Sequence, residues 1–338
     1  MRVYGNLIDN LAQVPSTIKE IEQQGYTAAF TAEINNDPFF PLLLAAEHSK
    51  KVELMTSIAV AFARNPMTVA NIAHDLNQYS QGRFTLGIGS QIKPHITRRM
   101  SMPWSSPAAR MREFVQAMRA IWACWYEGQP LDFNGEFYQH TLMTPMFTAE
   151  DKNGVGAPKV KIAGVGPLMT QVAAEVGDGL IAHGFTTAEY LRQSTIPNVE
   201  KGLAVQGRSR ADFDICCPVM VASGSNEQAF EQNLMRMKSQ MAFYASTPAY
   251  RPVLDVHGWG DMQPHFTRLS KQGDWQKMTD MVDDEMLNAF VLVCENPDDI
   301  PQQLEQRYGG LVDSWMCTYI GQDQEQQQRI VNKIQKEI

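Results

Sequence analysis

Cysteine is scarce in this chain and follows no pattern. Cys124, Cys216, Cys217, Cys294 and Cys317 make an odd set with no CxxC pair, which points away from a disulfide framework or a zinc cluster and toward buried, reduced thiols. There is no uninterrupted apolar run long enough to cross a bilayer, so no membrane span is expected. Nor is there a run of Lys and Arg: with a formal charge of −8, the chain lacks the positive stripe that nucleic acid requires as a partner. Met1-Arg2-Val3-Tyr4-Gly5-Asn6 has none of the charged and apolar segments of a signal peptide, and a cytoplasmic protein is expected. What remains is 44% hydrophobic and 20% charged residues over 338 positions, the composition of a folded protein with a sizeable core.

Short β-rich runs alternate with amphipathic stretches from end to end. The spacing predicts strands at 2–6, 27–33, 52–60, 83–90, 159–163, 180–183, 214–222 and 311–319. Between and after them it predicts helices at 15–24, 38–48, 66–79, 110–126, 167–176, 187–207, 226–244 and 322–338. Pro15, Pro38 and Pro66 open the first three helices, where a fixed φ suits the first turn. About eight strand-helix units are what closes a (β/α)8 TIM barrel, here a single domain over 1–338. An open doubly wound sheet would want a Gly-rich turn after its first strand, and Asn6-Leu7-Ile8-Asp9 is not one.

Three long segments, 91–108, 128–158 and 246–274, exceed ordinary connections and read as insertions, chiefly after strands four and seven. The second contains Phe133-Asn134-Gly135-Glu136-Phe137-Tyr138, a hairpin turning at Asn-Gly. The 110–126 helix carries an apolar stripe of Phe114, Met118, Ile121, Trp122 and Trp125, suited to the core or to a subunit contact. The turn Ala163-Gly164-Val165-Gly166-Pro167 leaves a strand and opens a helix. Its free N–H groups and positive dipole end suit a phosphate, with a plain tight turn as the other reading. A metal-dependent barrel hydrolase needs paired His after the first strand; none is there, and no metal is expected.

Three sets of residues carry a family resemblance. They are Ser57-Ile58-Ala59-Val60-Ala61-Phe62-Ala63-Arg64-Asn65-Pro66 with Asp75-Leu76 and Gly82-Arg83-Phe84-Thr85-Leu86-Gly87-Ile88-Gly89; Met102-Pro103-Trp104 through Arg110-Met111-Arg112-Glu113; and Gly164-Val165-Gly166-Pro167-Leu168-Met169 with Ala173-Ala174-Glu175-Val176-Gly177-Asp178-Gly179. In this order they resemble the bacterial luciferase-like superfamily over most of the chain, fading after about Tyr244. The likeness is greater to the branch dependent on coenzyme F-420, an 8-hydroxy-5-deazaflavin, than to the light-emitting luciferases.

The resemblance implies a bulge with a non-proline cis peptide between Ser57 and Ile58 behind the coenzyme ring, and phosphate binding by Gly164, Val165 and Gly166 with Pro167. It implies coenzyme contacts from Ser90 and Gln91, and a homodimer. Luciferases of the family have Arg at the place of Ser90, gripping the flavin phosphate; its absence points to deazaflavin. The branch's sugar-phosphate dehydrogenases have His at the place of Ile34 and an acid at that of Ile92, so their acid–base pair does not carry over.

Glu33, His95 and His183 are left as candidate proton handlers for a small-molecule substrate, because such groups near strand ends reach the space above a coenzyme. Glu33 is equally suited to anchoring a neighbouring loop, and the two histidines to structural roles. Lys93, Arg98 and Arg99 are candidates for an anionic tail, against a default of solvated loop charges. The expected activity is hydride transfer between a small organic substrate and the deazaflavin. The alternatives are an FMN-dependent monooxygenase and a non-catalytic flavin-binding barrel.

Overall fold

The structure is a computed structural model and describes residues 1–7, 10–317 and 323–337. Its eight barrel strands are β1 (Arg2–Asn6), β2 (Ala28–Thr31), β3 (Glu53–Thr56), β4 (Phe84–Gly89), β5 (Lys159–Gly164), β6 (Gly179–Ala182), β7 (Asp214–Cys217) and β8 (Ser314–Cys317). Each pairs in parallel with the next, and β8 pairs back to β1 with Arg2 beside Ser314. The sheet therefore closes, and all eight expected strands take part. Ile8 and Asp9 of the first turn, Thr318 and Tyr319 of the last expected strand, and Gln322 and Ile338 of the last expected helix lie outside the described residues.

Local signals place the helices of the first half. Asn65 caps the helix Pro66–Tyr79 by accepting the Met67 N–H, and Pro66 occupies its first turn. The helix Pro107–Glu127 stops at Gly128, whose φ of 69° is left-handed. Its Phe114, Met118, Ile121, Trp122 and Trp125 are buried within this chain, so core packing uses up the stripe that also suited a subunit contact. The expected 187–207 helix runs without a gap from Ala188 to Val205, with a π-turn at Leu191–Thr195 inside it. Pro197 explains the π-turn: it has no N–H, and its ring collides with the carbonyl four residues back.

Two insertions differ from expectation. The hairpin pairs Phe133–Asn134 with Gln139–His140, so its loop is 135–138 and not a two-residue Asn-Gly turn. The Glu113 carboxylate sets that loop, accepting the N–H groups of Glu136, Phe137 and Tyr138 at 2.9, 2.6 and 2.6 Å. The 246–274 segment, expected as a loop, is largely helical, with Arg251–Asp255 and Gln263–Gln272. Such short helices are marginal alone. Here Val253, Leu254 and Phe266 are buried with Met241 and Phe290 in an apolar cluster outside the barrel. The insertion after β7 returns through Val291–Val293, which pairs in parallel with Met220–Ala222.

Inside the barrel, alternate residues of each strand point inward. At the N-terminal end Lys161 Nζ donates to Asp214 Oδ1 at 2.9 Å and to Tyr4 Oη at 3.2 Å, and Ser314 Oγ lies 2.8 Å from Asp214 Oδ2. Arg2 bridges Asp214 and Glu53. Burial opposes the Lys161 charge, but Cys216, Tyr4 and Asp214 around it more than compensate, and its pKa is raised. Burial likewise opposes the Asp214 charge, and Lys161, Ser314 and Arg2 hold its pKa down. Above this cluster lies an apolar layer that includes Phe30, Met55, Ile181 and Met316.

Candidate active site at the C-terminal mouth of the barrel

The floor of the mouth is a bulge in the chain after β3. Met55 pairs with Thr85 and Ala59 with Ile88, four residue steps against three, so one extra residue is pushed out of the ladder. The Ser57–Ile58 peptide within it is cis. Thr56 Oγ1 accepts the Gly87 N–H at 2.9 Å and donates to Gly87 O at 2.7 Å. A Cβ on Gly87 would overlap the Thr56 carbonyl oxygen, and one on Gly89 would come within 3.0 Å of Ile58 Cδ1. The Gly87-Ile88-Gly89 motif is thus a requirement for close approach.

Glu33 supports this floor from behind. Its N–H donates to Ile58 O at 3.2 Å, and its Oε2 accepts the Val60 N–H at 2.7 Å and Arg64 Nη1 at 2.6 Å. Arg64 also binds Asp37 at 3.0 Å and lies over the Phe39 ring. Glu33 does not line the cavity; its place is that of the loop anchor.

Above the floor is a cavity of about 810 Å³. Ser57, Ile58, Ser90, Gln91, Gly164, Val165, Gly166 and His183 all line it. Gly166 caps the helix Pro167–Val176 with extended backbone, and a Cβ there would meet nothing within 4 Å. There is therefore open space beside the start of this helix, where a helix N-terminus favours an anion. Tyr190 Oη donates to Val165 O at 2.9 Å and holds the turn. Pro167 begins the helix and stays out of the wall. Gln91 is left-handed, with φ 58°, and its carbonyl accepts from Ser90 Oγ at 3.1 Å.

His95 is exposed on a π-turn and is not part of the cavity wall. His183, directly after β6, lines it. Its Nδ1 accepts the Phe185 N–H at 2.9 Å, its Nε2 lies 3.2 Å from Tyr250 Oη, and Tyr244 meets it edge-on at 4.8 Å. Burial pushes the imidazole down to about 4 and the Tyr250 phenol up to about 12.

The sequence reading misses the wall supplied by the insertion after β7, where Asn233, Arg236, Gln240 and Tyr244 share one face of the helix Glu227–Ala245 and Tyr250 follows. The i, i+3, i+7, i+11 spacing was there to be found, but polar residues in that pattern look the same whether they face solvent or a cavity. Lys93 and Arg236 are the wall's cations, and among the described residues no Asp or Glu lines it. Of the other loop cations, Arg99 donates to Ile34 O at 2.5 Å, and Arg98 is exposed. Among the described residues no cluster of His, Cys, Asp and Glu can hold a metal, and no helix is long and apolar enough to cross a membrane.

A family model described as luciferase-like monooxygenase matches residues 2–314. The chain belongs to this family. An uncharacterized protein of Mycobacterium tuberculosis is 48% identical over 325 residues, covering 96% of this chain and 95% of its own. The 5,10-methylenetetrahydromethanopterin reductase of Archaeoglobus fulgidus is 26% identical over 325 residues, covering 94% and 92%. The solved coenzyme F420-dependent tetrahydromethanopterin reductase of Methanopyrus kandleri superposes with a TM-score of 0.77 at 20% identity, covering 100% and 97%. Luciferase-like proteins thus share this barrel. Here its mouth offers a floor built on the Ser57–Ile58 bulge, a helix start with open space beside it and two cations on the wall.

Proposed function

We propose that this luciferase-like protein is an oxidoreductase that moves a hydride between a small organic substrate and a deazaflavin coenzyme of the F420 type. The observation that carries the reading is the mouth itself. The bulge at Ser57 and Ile58, the helix start at Gly166 with open space beside it and the cations Lys93 and Arg236 surround one cavity with no described carboxylate on its wall. A flat apolar ring with an anionic tail fits that combination. The solved Methanopyrus kandleri structure, named as coenzyme F420-dependent, supports deazaflavin over FMN, as does Ser90 in place of a phosphate-gripping Arg.

Such a coenzyme would supply hydride-transfer chemistry at this mouth. The chain supplies the rest. Ser57 and Ile58 would back the ring, the 164–166 turn and Lys93 would hold the anionic tail, and the rings of Trp104, Tyr244 and Tyr250 would keep water out. His183, one of the wall's titratable groups and paired with Tyr250, is placed to govern a proton on the substrate side. The homodimer is part of the proposal, supported by exposed Phe40, Leu43, Tyr79, Met146 and Phe147. Elution as a monomer at micromolar concentration would remove it.

Turnover with and without oxygen tests the reading. Protein supplied with reduced F420 coenzyme and a panel of small organic acceptors should oxidise the coenzyme anaerobically. Activity that requires oxygen together with an FMN reductase would make the protein an FMN monooxygenase, and bound coenzyme that never changes redox state would make it a non-catalytic barrel.

A further inference from the structure

Tyr250 enters the cavity from the insertion after β7, and its Oη meets His183 Nε2 at 3.2 Å. On the far side of the imidazole, Nδ1 accepts the Phe185 backbone N–H at 2.9 Å. A backbone amide can only donate, so Nδ1 is the bare nitrogen and neutral His183 carries its proton on Nε2. That proton is donated to Tyr250 Oη. The phenol oxygen is therefore an acceptor in this pair, and its own O–H has no acceptor among the described residues.

Buried hydroxyls find partners, and the open side of this one is the cavity. The surroundings define the partner further. The Tyr250 ring lies 4.5 Å from the imidazole and 6.1 Å from Phe185, and Tyr244 closes the edge. An uncharged donor framed by aromatic rings favours a neutral acceptor over an ion, whose desolvation it does not offset.

We propose that Tyr250, oriented by His183, is the hydrogen-bond donor to the substrate, and that the substrate presents a neutral carbonyl-type acceptor to it. His183 is a positioning residue: it fixes where the phenol oxygen sits and which way the phenol proton points. The inference deepens the proposed function and rests on it for the reaction, but the binding it describes does not depend on which coenzyme is used. A carbonyl carbon held by its oxygen above the bulge is also a hydride acceptor of the kind that function requires.

The test is isothermal titration of the purified full chain, with no coenzyme added, using 4-tert-butylcyclohexanone and its isostere with an exocyclic methylene in place of the oxygen. In Tyr250→Phe the ratio of ketone to alkene affinity should fall at least tenfold, through weaker ketone binding with the alkene unchanged. His183→Phe should lower the same ratio, because the hydroxyl loses its orientation. Histidine ¹⁵N spectra of the wild type should show His183 protonated on Nε2 and bare on Nδ1. A ratio unchanged in Tyr250→Phe, a ketone that fails to bind the wild type, or a proton on Nδ1 would each overturn the proposal. Oxygen-dependent turnover would sink the hydride reading and leave this binding result standing, so the two failures are distinguishable.

Discussion

At the N-terminal end of the barrel, Lys161, Asp214, Tyr4 and Ser314 spend their polar groups on one another in a closed cluster. At the C-terminal end the strands finish at Ser57, Ser90, Gly164 and His183 around open space, with room beside Gly166 and with a Tyr250 hydroxyl whose own proton has no acceptor among the described residues. Both ends are polar, and an apolar layer containing Phe30, Met55 and Ile181 separates them. The difference lies in satisfaction. A polar group paired inside the chain contributes to stability and specificity, whereas one left facing a cavity is available to a ligand. The lower end is thus part of the scaffold and the upper end is the working site, although the same eight strands build both.

Three perturbations sharpen that division. The largest effect is expected at the closed end. Asp214→Ala removes the carboxylate that Lys161, Ser314 and Arg2 share and leaves a buried ammonium without its counter-ion. Breaking such a pair costs about 3–5 kcal/mol, to be read from urea unfolding midpoints. A loss under about 1 kcal/mol would mean that water reaches Lys161 and that the end is not closed.

The second concerns His183. Its folded pKa of about 4 lies below the ordinary value of 6.5, so between those values the unfolded chain binds more protons and stability rises with pH. The contribution is complete above 6.5 and is lost as pH falls toward 4, by up to about 3 kcal/mol. His74, His140 and His257 are also lowered by burial, so the His183 share is the difference in pH slope between wild type and His183→Gln. Parallel slopes would show that solvent reaches the imidazole.

The smallest stability effect, and the most selective, belongs to Gly166→Val. The extended backbone and empty surroundings of Gly166 tolerate a side chain, so unfolding should change only by the cost of a poorer N-cap, about 1 kcal/mol or less. Coenzyme affinity should fall tenfold or more, because the side chain would occupy the space where an anion meets the helix start. Unchanged affinity would detach the 164–166 turn from the coenzyme.

The barrel was legible in the sequence wherever signals were local. The helices Pro66–Tyr79 and Pro167–Val176 match expectation residue for residue, because Asn65-Pro66 and Gly166-Pro167 mark their starts. Site residues were legible where position along a strand determines them: Ser57, Ser90, Gly164 and His183 stand at the ends of strands, and all reach the mouth. Roles that depend on a partner were not. Glu33 looks the same in sequence whether it serves a substrate or, as here, Arg64 and the bulge. His95 and His183 are alike as letters, but one follows β6 directly and the other lies well beyond β4 on an exposed turn. Tyr250 carried no signal, because the helices of its insertion owe their form to burial of Val253, Leu254 and Phe266 and not to their own periodicity.

Competition between coenzymes tests the central claim most directly. With wild-type protein and equal concentrations of oxidised F420 coenzyme and FMN, equilibrium dialysis read by the two distinct chromophores should show the deazaflavin bound at least tenfold more tightly. Preferential retention of FMN would contradict the deazaflavin assignment.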